Sequence, residues 1–385
     1  MRISQTVTEK RFSAVIDKKA GWIEWDSDNN YPNVIKQVSK ASPTAQKCLK
    51  TYVRFLVGKG FADPNLNAFL VDPQKKLTAL KLLRKIAYDR ALFEGFSVHI
   101  NFKADGTKWS LRHIPFENCR LGKPDDRGYI NRIITNKDFL DYKKENNQSF
   151  YNYDIENVIR QIANVTDKGN NYRGQIYWWS TEGLSYPTAT IDSVATDCST
   201  EEGLQNIRYR NTRFNFLPSG LLVTYGKEED TKNPEALSEV RRVELLERQQ
   251  KEEKFDDKFI AAQGDKNTSK IMVINVGFAE EKPEFIPFNT KNFDKEFDFT
   301  EKSTTTSIGG IFTQPPILRC EDVGAGFGAD AIINAYNIYN ATLEPERIEL
   351  SENFKELLNK FEGAENFTDF SIVPLTYQNG STNNI

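Results

Sequence analysis

The residues whose types and spacing could do chemistry are few. The string GAGFGA, Gly324 to Ala329, fits the G-x-G-x-x-A pattern in which glycines let backbone amides approach a pyrophosphate where a helix begins. That chemistry needs a strand before the turn and further βαβ units after it. Asp322 and the pair Pro315–Pro316 break the approach, and only 56 of the 385 residues follow Ala329. A flexible glycine loop entering a helix is the simpler account. His99 and His113 are the only histidines. Both fall in strands of one expected hairpin, where they could face each other and, with Glu94 or Glu117, hold a metal or act as a general base. Their spacing carries no ligand signature, and a hydrogen-bonded histidine in a half-buried sheet accounts for each. The chain contains no G-x-S-x-G, no H-E-x-x-H and no G-x-x-x-x-G-K-[ST]. Glu252–Glu253 and Asp256–Asp257 alternate with Lys251, Lys254 and Lys258, as on a solvated helix face with i,i+4 pairs. No catalytic residue, cofactor or metal is expected, and the chain is read as a non-enzyme.

Composition narrows the classes further. Hydrophobic residues at 38% and aromatics at 12% exclude disorder for the bulk of the chain. A net charge of −3, from 51 basic and 54 acidic residues, argues against a tight, sequence-independent grip on nucleic acid, so any DNA contact should be light or transient. Cys48, Cys119, Cys198 and Cys320 lie far apart and form no CxxC pair, which fits buried thiols in a reducing compartment. No stretch approaches the roughly 18 apolar residues of a membrane span, and the first residues lack a signal-peptide core. The protein is expected to work in the cytoplasm or in a particle assembled there, with no membrane partner.

The elements that must position these residues follow from periodicity and punctuation. Pro32 opens a helix expected to run through SPTAQKCLKTYVRFLV to a stop at Gly58 and Gly60, with Leu49, Tyr52, Val53 and Leu56 on its apolar side. A second helix, Leu77 to Phe93, leads into the strand FSVHINF, the turn ADGTK, the strand WSLRHIPF and a third strand, YINRIIT. The stretch Asn146 to Gly174 is polar and turn-rich, and QIYWWS reads as a short aromatic strand. After Pro187 an extended helix is expected from Thr188 to Arg213, with Arg208, Arg210 and Arg213 near its end, and LPSGLLVTYG follows as a strand. Pro234 starts a heavily charged surface helix ended by Gly264; KIMVINVGF is a strand, and another helix runs toward Ser307. A last long helix, Asp330 to Phe361, carries Ile332, Tyr336, Tyr339 and Leu343 on one stripe and should kink at Pro345. FTDFSIVPLTY is expected as a short strand.

The order of these elements resembles the portal proteins of tailed double-stranded-DNA phages over nearly the whole chain, Trp25 to Val373. LFEGFSVHINFKADGTKWSLRHIPFENCRL looks like part of the family's wing, GLSYPTATIDSVATD like the start of its first stem helix and NTRFNFLPSGLLVTYG like that helix's exit. A helix ending in a bulky residue, then a proline pair and a leucine, matches Ile311, Phe312, Pro315, Pro316 and Leu318. The resemblance implies an α+β, portal-like fold: a mixed wing lobe (1–187), a two-helix stem (188–215 and 290–313), an α/β clip (216–289), a tunnel loop (314–328), a long kinked internal helix (329–361), and a wing strand and tail (362–385), without a large C-terminal crown.

The resemblance also implies a ring, usually a dodecamer, at one capsid vertex of a virion assembled in the host bacterial cytoplasm. Its partners would be double-stranded DNA passing through the channel, the large terminase, the major capsid protein and neck or adaptor proteins. Gln314, Arg319, Glu321, Asp322, Gly324, Gly326 and Gly328 would line the channel as a tunnel loop, and Pro315 and Pro316 would stiffen it. Glu239, Arg242, Glu247 and Lys251 would dock partners at the clip. Two alternatives stay open: another virion structural protein, such as a minor capsid or baseplate component, and a nucleotide-binding enzyme built on Gly324 to Ala329.

Overall fold

A computed structural model describes residues 15–16, 21–139, 146–214, 220–225, 272–276, 284–287, 293–319 and 329–377. The chain divides into two compact units. One comprises Met1–Ser199 and Thr305–Ile385; the other is Thr200–Thr304.

In the first unit β1 (Val15–Ile16) pairs antiparallel with β2 (Ile23–Glu24). The stretch expected as one helix is two, α1 (Tyr31–Ala41) and α2 (Pro43–Val57). The break lies at Ser42, before Pro43, where proline disfavours a helical residue. Ser42 is extended at φ −98° and ψ 114°, and its hydroxyl accepts a hydrogen bond from the Ala45 amide at 2.9 Å, which caps α2. Gly58 closes α2 at φ 56°, where a side chain would run into the Val373 carbonyl of the passing C-terminal segment.

α3 (Pro64–Ala68), β3 (Leu70–Asp72) and β4 (Leu77–Thr78) lead into α4 (Ala79–Phe93), which is capped by the Thr78 hydroxyl. Leu77 and Thr78, expected in the helix, are a strand and its cap.

The wall against which α4 packs is a six-stranded sheet: β5 (Gly95–Phe102), β6 (Lys108–Ile114), β7 (Cys119–Leu121), β8 (Arg132–Thr135), β9 (Gln148–Asn152) and β10 (Gln175–Ser180). Its spatial order is β6-β5-β10-β9-β8-β7, antiparallel except for β9 beside β10. The aromatic run Tyr177 to Trp179 therefore sits at the centre. Trp25 anchors the core on one side, stacked on Tyr186 at 4.8 Å and edge-on to Phe116 at 5.4 Å. The stretch 146–174, expected as turns, contributes β9 and α5 (Val158–Thr166).

α6 (Ala195–Phe214) crosses from the first unit into the second, after a 3-10 turn at Thr190–Val194 that shortens the expected helix. The second unit holds a three-stranded sheet of β11 (Gly220–Tyr225), β12 (Met272–Val276) and β13 (Glu284–Pro287), ordered β12-β11-β13. β11 and β12 are parallel, so a crossover connection must join them. The charged helix expected after Pro234, with Glu239, Arg242, Glu247 and Lys251, falls in that connection and lies outside the described residues. α7 (Phe293–Ile311) returns the chain to the first unit.

The expected long helix is α8 (Ala329–Thr342) and α9 (Glu344–Leu358), separated by Leu343. Pro345 stands in the first turn of α9, where its missing amide leaves no bond unmade. The Leu343 amide still donates to Tyr339 and the Arg347 amide to Leu343, at 3.2 and 3.1 Å, so the break amounts to a kink. The expected C-terminal strand is a single bridge, Ile372 to Phe61.

Candidate functional site

The feature to which the sequence points most directly is the turn that follows α7. Ile308 and Phe312 are buried, and Phe312 meets Tyr52 of α2 edge-on with ring centres 6.2 Å apart. Thr313 takes a left-handed φ of 50°, and its amide bonds back to the Gly310 carbonyl at 3.0 Å, closing the helix. Pro315 and Pro316 then fix the direction of a 3-10 turn, Pro316–Arg319, which the Leu318 amide closes on the Pro315 carbonyl at 2.9 Å.

Two residues expected to line a channel are buried instead. Gln314 is 5% exposed, and its Nε2 donates to the Cys48 carbonyl at 2.6 Å and to the Tyr339 hydroxyl at 3.0 Å. Burial pushes the Tyr339 hydroxyl well above its ordinary value, so it stays a neutral donor and acceptor. Arg319 is 4% exposed, and its guanidinium lies over Gly309; a methyl group at Gly309 would overlap it. Gln314 and Arg319 thus tie the start of the loop to α2, α7 and α8. The buried Gln314 amide nitrogen finds both its acceptors within the chain, and burial without them would be costly. Glu321, Asp322, Gly324, Gly326 and Gly328 lie outside the described residues, as does GAGFGA except for Ala329, the first residue of α8.

In the second unit α6 and α7 are joined by a bidentate ion pair: the two terminal nitrogens of Arg208 meet the two carboxylate oxygens of Glu301, one at 2.8 Å. Asp298 stands 4.0 Å from the same guanidinium. The arginine expected as a dipole partner, DNA contact or subunit contact is therefore a clasp between two helices. The side chains of Arg210 and Arg213 lie outside the described residues.

Neither protein-family profiles nor curated proteins match this sequence. Solved structures do. The neck of an empty gene transfer agent particle, computed with C6 symmetry, aligns over 97% of this chain and 87% of that chain, with a TM-score of 0.54 and 12% identity. The neck of the native particle, computed with C12 symmetry, aligns over 86% of this chain and 82% of that chain, with a TM-score of 0.51 and 14% identity. The chain has the fold of a particle-neck subunit. An HK97-family phage portal protein from Corynebacterium diphtheriae aligns over 79% of this chain and 85% of that chain, at 10% identity and a TM-score of 0.40. The weight rests on the two neck structures, and they agree with the portal-like α+β architecture read from the sequence.

The two histidines make separate hydrogen bonds. His99 pairs across the sheet with Arg112 and His113 with Val98, so the two rings point to opposite faces. The His99 Nε2 bonds the Arg173 carbonyl at 2.7 Å, and burial lowers its basicity. The His113 Nε2 bonds Asp89 Oδ2 at 2.8 Å, and the same oxygen accepts from the Phe116 amide at 2.9 Å. Among the described residues no group of three His, Cys, Asp or Glu could hold a metal. Cys48, Cys119 and Cys198 are buried, as expected, and none of the three is in a disulfide. No described helix is long and apolar enough to cross a membrane.

The residues that sequence reasoning missed are cations. Exposed lysines and arginines crowd α1, α2 and α4, and a net charge summed over the whole chain conceals them.

Proposed function

We propose that this chain is a portal subunit: a non-enzymatic protein that closes head to tail into a ring, of twelve copies, at one capsid vertex of a virion assembled in the bacterial host. Heterologous contacts that close upon themselves give such rings. The observation that carries the proposal is the alignment of 97% of the chain with a subunit of a symmetric particle neck. In this reading 1–187 and 362–385 are the wing, 188–215 and 290–313 the stem, and 216–289 the clip. The ring would pass double-stranded DNA inward during packaging and outward at ejection. The large terminase and then neck or adaptor proteins would dock at the clip, through Glu239, Arg242, Glu247 and Lys251, and the major capsid protein would surround the wing.

The buried ends of the turn refine the tunnel loop. Gln314, Pro315, Pro316 and Arg319 are its fixed root. Glu321, Asp322, Gly324, Gly326 and Gly328 form the part that meets DNA, where glycine leaves the backbone free to shift and acidic side chains do not hold a polyanion. Negative-stain images of the purified protein test the ring: annular particles with a central hole are expected, and a sample that stays monomeric or grows filaments overturns it. Replacing the three glycines with alanine should then spare the ring and impair DNA packaging.

A further inference from the structure

Between Tyr31 and Gly60 the sequence holds six cations, Lys36, Lys40, Lys47, Lys50, Arg54 and Lys59, and no aspartate or glutamate. Between Pro73 and Tyr88 it holds five more, Lys75, Lys76, Lys81, Arg84 and Lys85, again without an acid. In a chain with slightly more acids than bases this is segregation. The runs fold into α1, α2 and α4, which pack on one another.

On α2 the exposed residues Lys47, Lys50 and Arg54 stand at i, i+3 and i+7, one stripe opposite the buried Cys48, Leu49, Tyr52 and Phe55. On α4 the exposed residues Lys81, Arg84 and Lys85 form a second stripe, opposite the buried Leu82, Leu83 and Ile86. Lys40 is exposed in the last turn of α1. Among the described residues, ion pairs engage Lys36, Arg90, Lys103, Arg112, His113 and Arg208, but none of these seven cations.

The acids that flank the second run are turned inward. Asp72 and Asp89 are both buried; Asp72 bonds Arg112 and the Lys75 amide, and Asp89 bonds His113 and the Phe116 amide. Like charges three and four residues apart on a helix repel, so the cations of a stripe gain nothing from one another. They do create a local positive field despite the overall charge of −3.

We infer that the outward stripes of α2 and α4 are a sequence-independent contact surface for the phosphate backbone of double-stranded DNA, separate from the tunnel loop. Charge selects a polyanion, and the composition of the stripes selects nucleic acid over an acidic protein. Nine of the eleven cations are lysines, which suit phosphate as point charges and are depleted from protein interfaces. A protein interface also needs an apolar or aromatic centre. The large apolar residues exposed on these three helices are Val34 and Tyr88 alone. The identity of the polyanion as DNA rests on the portal proposal; the charge pattern does not.

Full-length protein tests this with a 30-bp duplex followed by fluorescence anisotropy, from about 50 to 200 mM salt. Three triple variants are compared: Lys47→Gln/Lys50→Gln/Arg54→Gln, Lys81→Gln/Arg84→Gln/Lys85→Gln, and a control, Lys137→Gln/Lys168→Gln/Lys355→Gln, which removes exposed lysines elsewhere. Each stripe variant should bind on the order of tenfold more weakly and lower the salt slope by up to about 3, while the control stays near the parent. Parent-like binding by both stripe variants, or an equal loss in the control, overturns the inference, as does a parent protein that binds polyglutamate but not the duplex. Mass photometry on the same samples keeps the two proposals apart. A ring that ignores the duplex sinks this surface alone; a monomer that binds DNA through the stripes sinks the portal and leaves the surface standing.

Discussion

The outer faces of α2 and α4 and the interior beneath them use the same residue types in opposite ways. Outside, Lys47, Lys50, Arg54, Lys81, Arg84 and Lys85 are exposed and form no ion pair among the described residues. Inside, the buried cations Arg90, Lys108 and Arg120 each have dedicated partners. Arg90 of α4 bonds Glu349 of α9 at 2.6 Å and lies 4.6 Å over the Trp179 ring; Lys108 bonds the Tyr153 hydroxyl and the Glu356 carbonyl at 2.9 and 2.8 Å; Arg120 bonds Asn29 and the Glu117 carbonyl. Burying a charge is costly unless it is paired and hydrogen-bonded, so an interior cation is committed to the fold. A displayed cation is not. The difference separates positions where substitution should cost stability from positions where it should cost only binding.

Arg90 gives the largest effect. Burial raises the carboxyls of Glu94 and Glu346 above their ordinary range; the Thr190 hydrogen bond and then the Arg90 charge oppose this at Glu94, and the Arg90 charge and then Tyr52 oppose it at Glu346. Arg90→Ala would leave these two carboxylates without their cation and remove the tie from α4 to α9. Urea unfolding should show a loss of about 2–3 kcal/mol, below the range for a fully buried pair because the Glu349 side chain is 41% exposed. Arg90→Lys, which keeps the charge but not the fork, should recover only part of it. A loss below about 1 kcal/mol would erase the distinction between interior and surface cations.

Lys108 yields a pH signature. It is fully buried at the carbonyl end of α9, and burial lowers its ammonium from 10.5 to about 8, with Glu356 opposing the shift and Lys360 adding to it. Between about 8 and 10.5 the unfolded chain therefore binds more protons than the folded one, and this group's contribution to stability rises with pH through that window. Lys108→Met should remove the rise. Melting temperatures of parent and variant, measured at half-unit steps from pH 7.5 to 10.5, should diverge by the equivalent of about 3 kcal/mol. Parallel curves would mean that the ammonium is solvated and belongs with the displayed set.

Much of this division was legible in the sequence, and some of it was not. Leu49, Tyr52 and Leu56 on α2, and Leu83, Ile86 and Leu92 on α4, mark buried faces by spacing alone, and those faces are buried. The cation stripes were equally visible as acid-free runs, but a charge averaged over 385 residues hides them. β9 was missed because its stability is non-local: Phe150 is its only buried side chain, and its partners come from β8 and β10. α5 was passed over because it lies in a polar stretch, with Ile159 still 60% exposed. The burial of Gln314 had no local signal at all, since the carbonyl that accepts from it belongs to Cys48, 266 residues earlier.

The pair Gly309 and Gly310 divides in the same manner on a smaller scale. A methyl group at Gly309 meets the buried Arg319 guanidinium, whereas one at Gly310 meets nothing within 4 Å. Gly309→Ala should cost about 1–2 kcal/mol by overpacking. Gly310→Ala should gain up to about 1 kcal/mol from helix propensity. Equal thermal shifts for the two would mean that Arg319 moves aside freely and does not anchor the turn.

The smallest effect expected is the one the comparison needs most. Lys47→Gln/Lys50→Gln/Arg54→Gln removes three charges from one helix face, yet should change unfolding free energy by no more than about 0.5 kcal/mol, as surface substitutions do. Relief of repulsion between Lys47 and Lys50 could even make the variant slightly more stable. The same holds for the triple on α4. Near-parental stability combined with weakened duplex binding is a pairing that no interior cation can produce, because removing Arg90 or Lys108 changes the fold before any surface is tested. If the stripe variants instead melted several degrees early, Lys47, Lys50 and Arg54 would be holding the helices together, and the loss of DNA binding would have to be attributed to the fold.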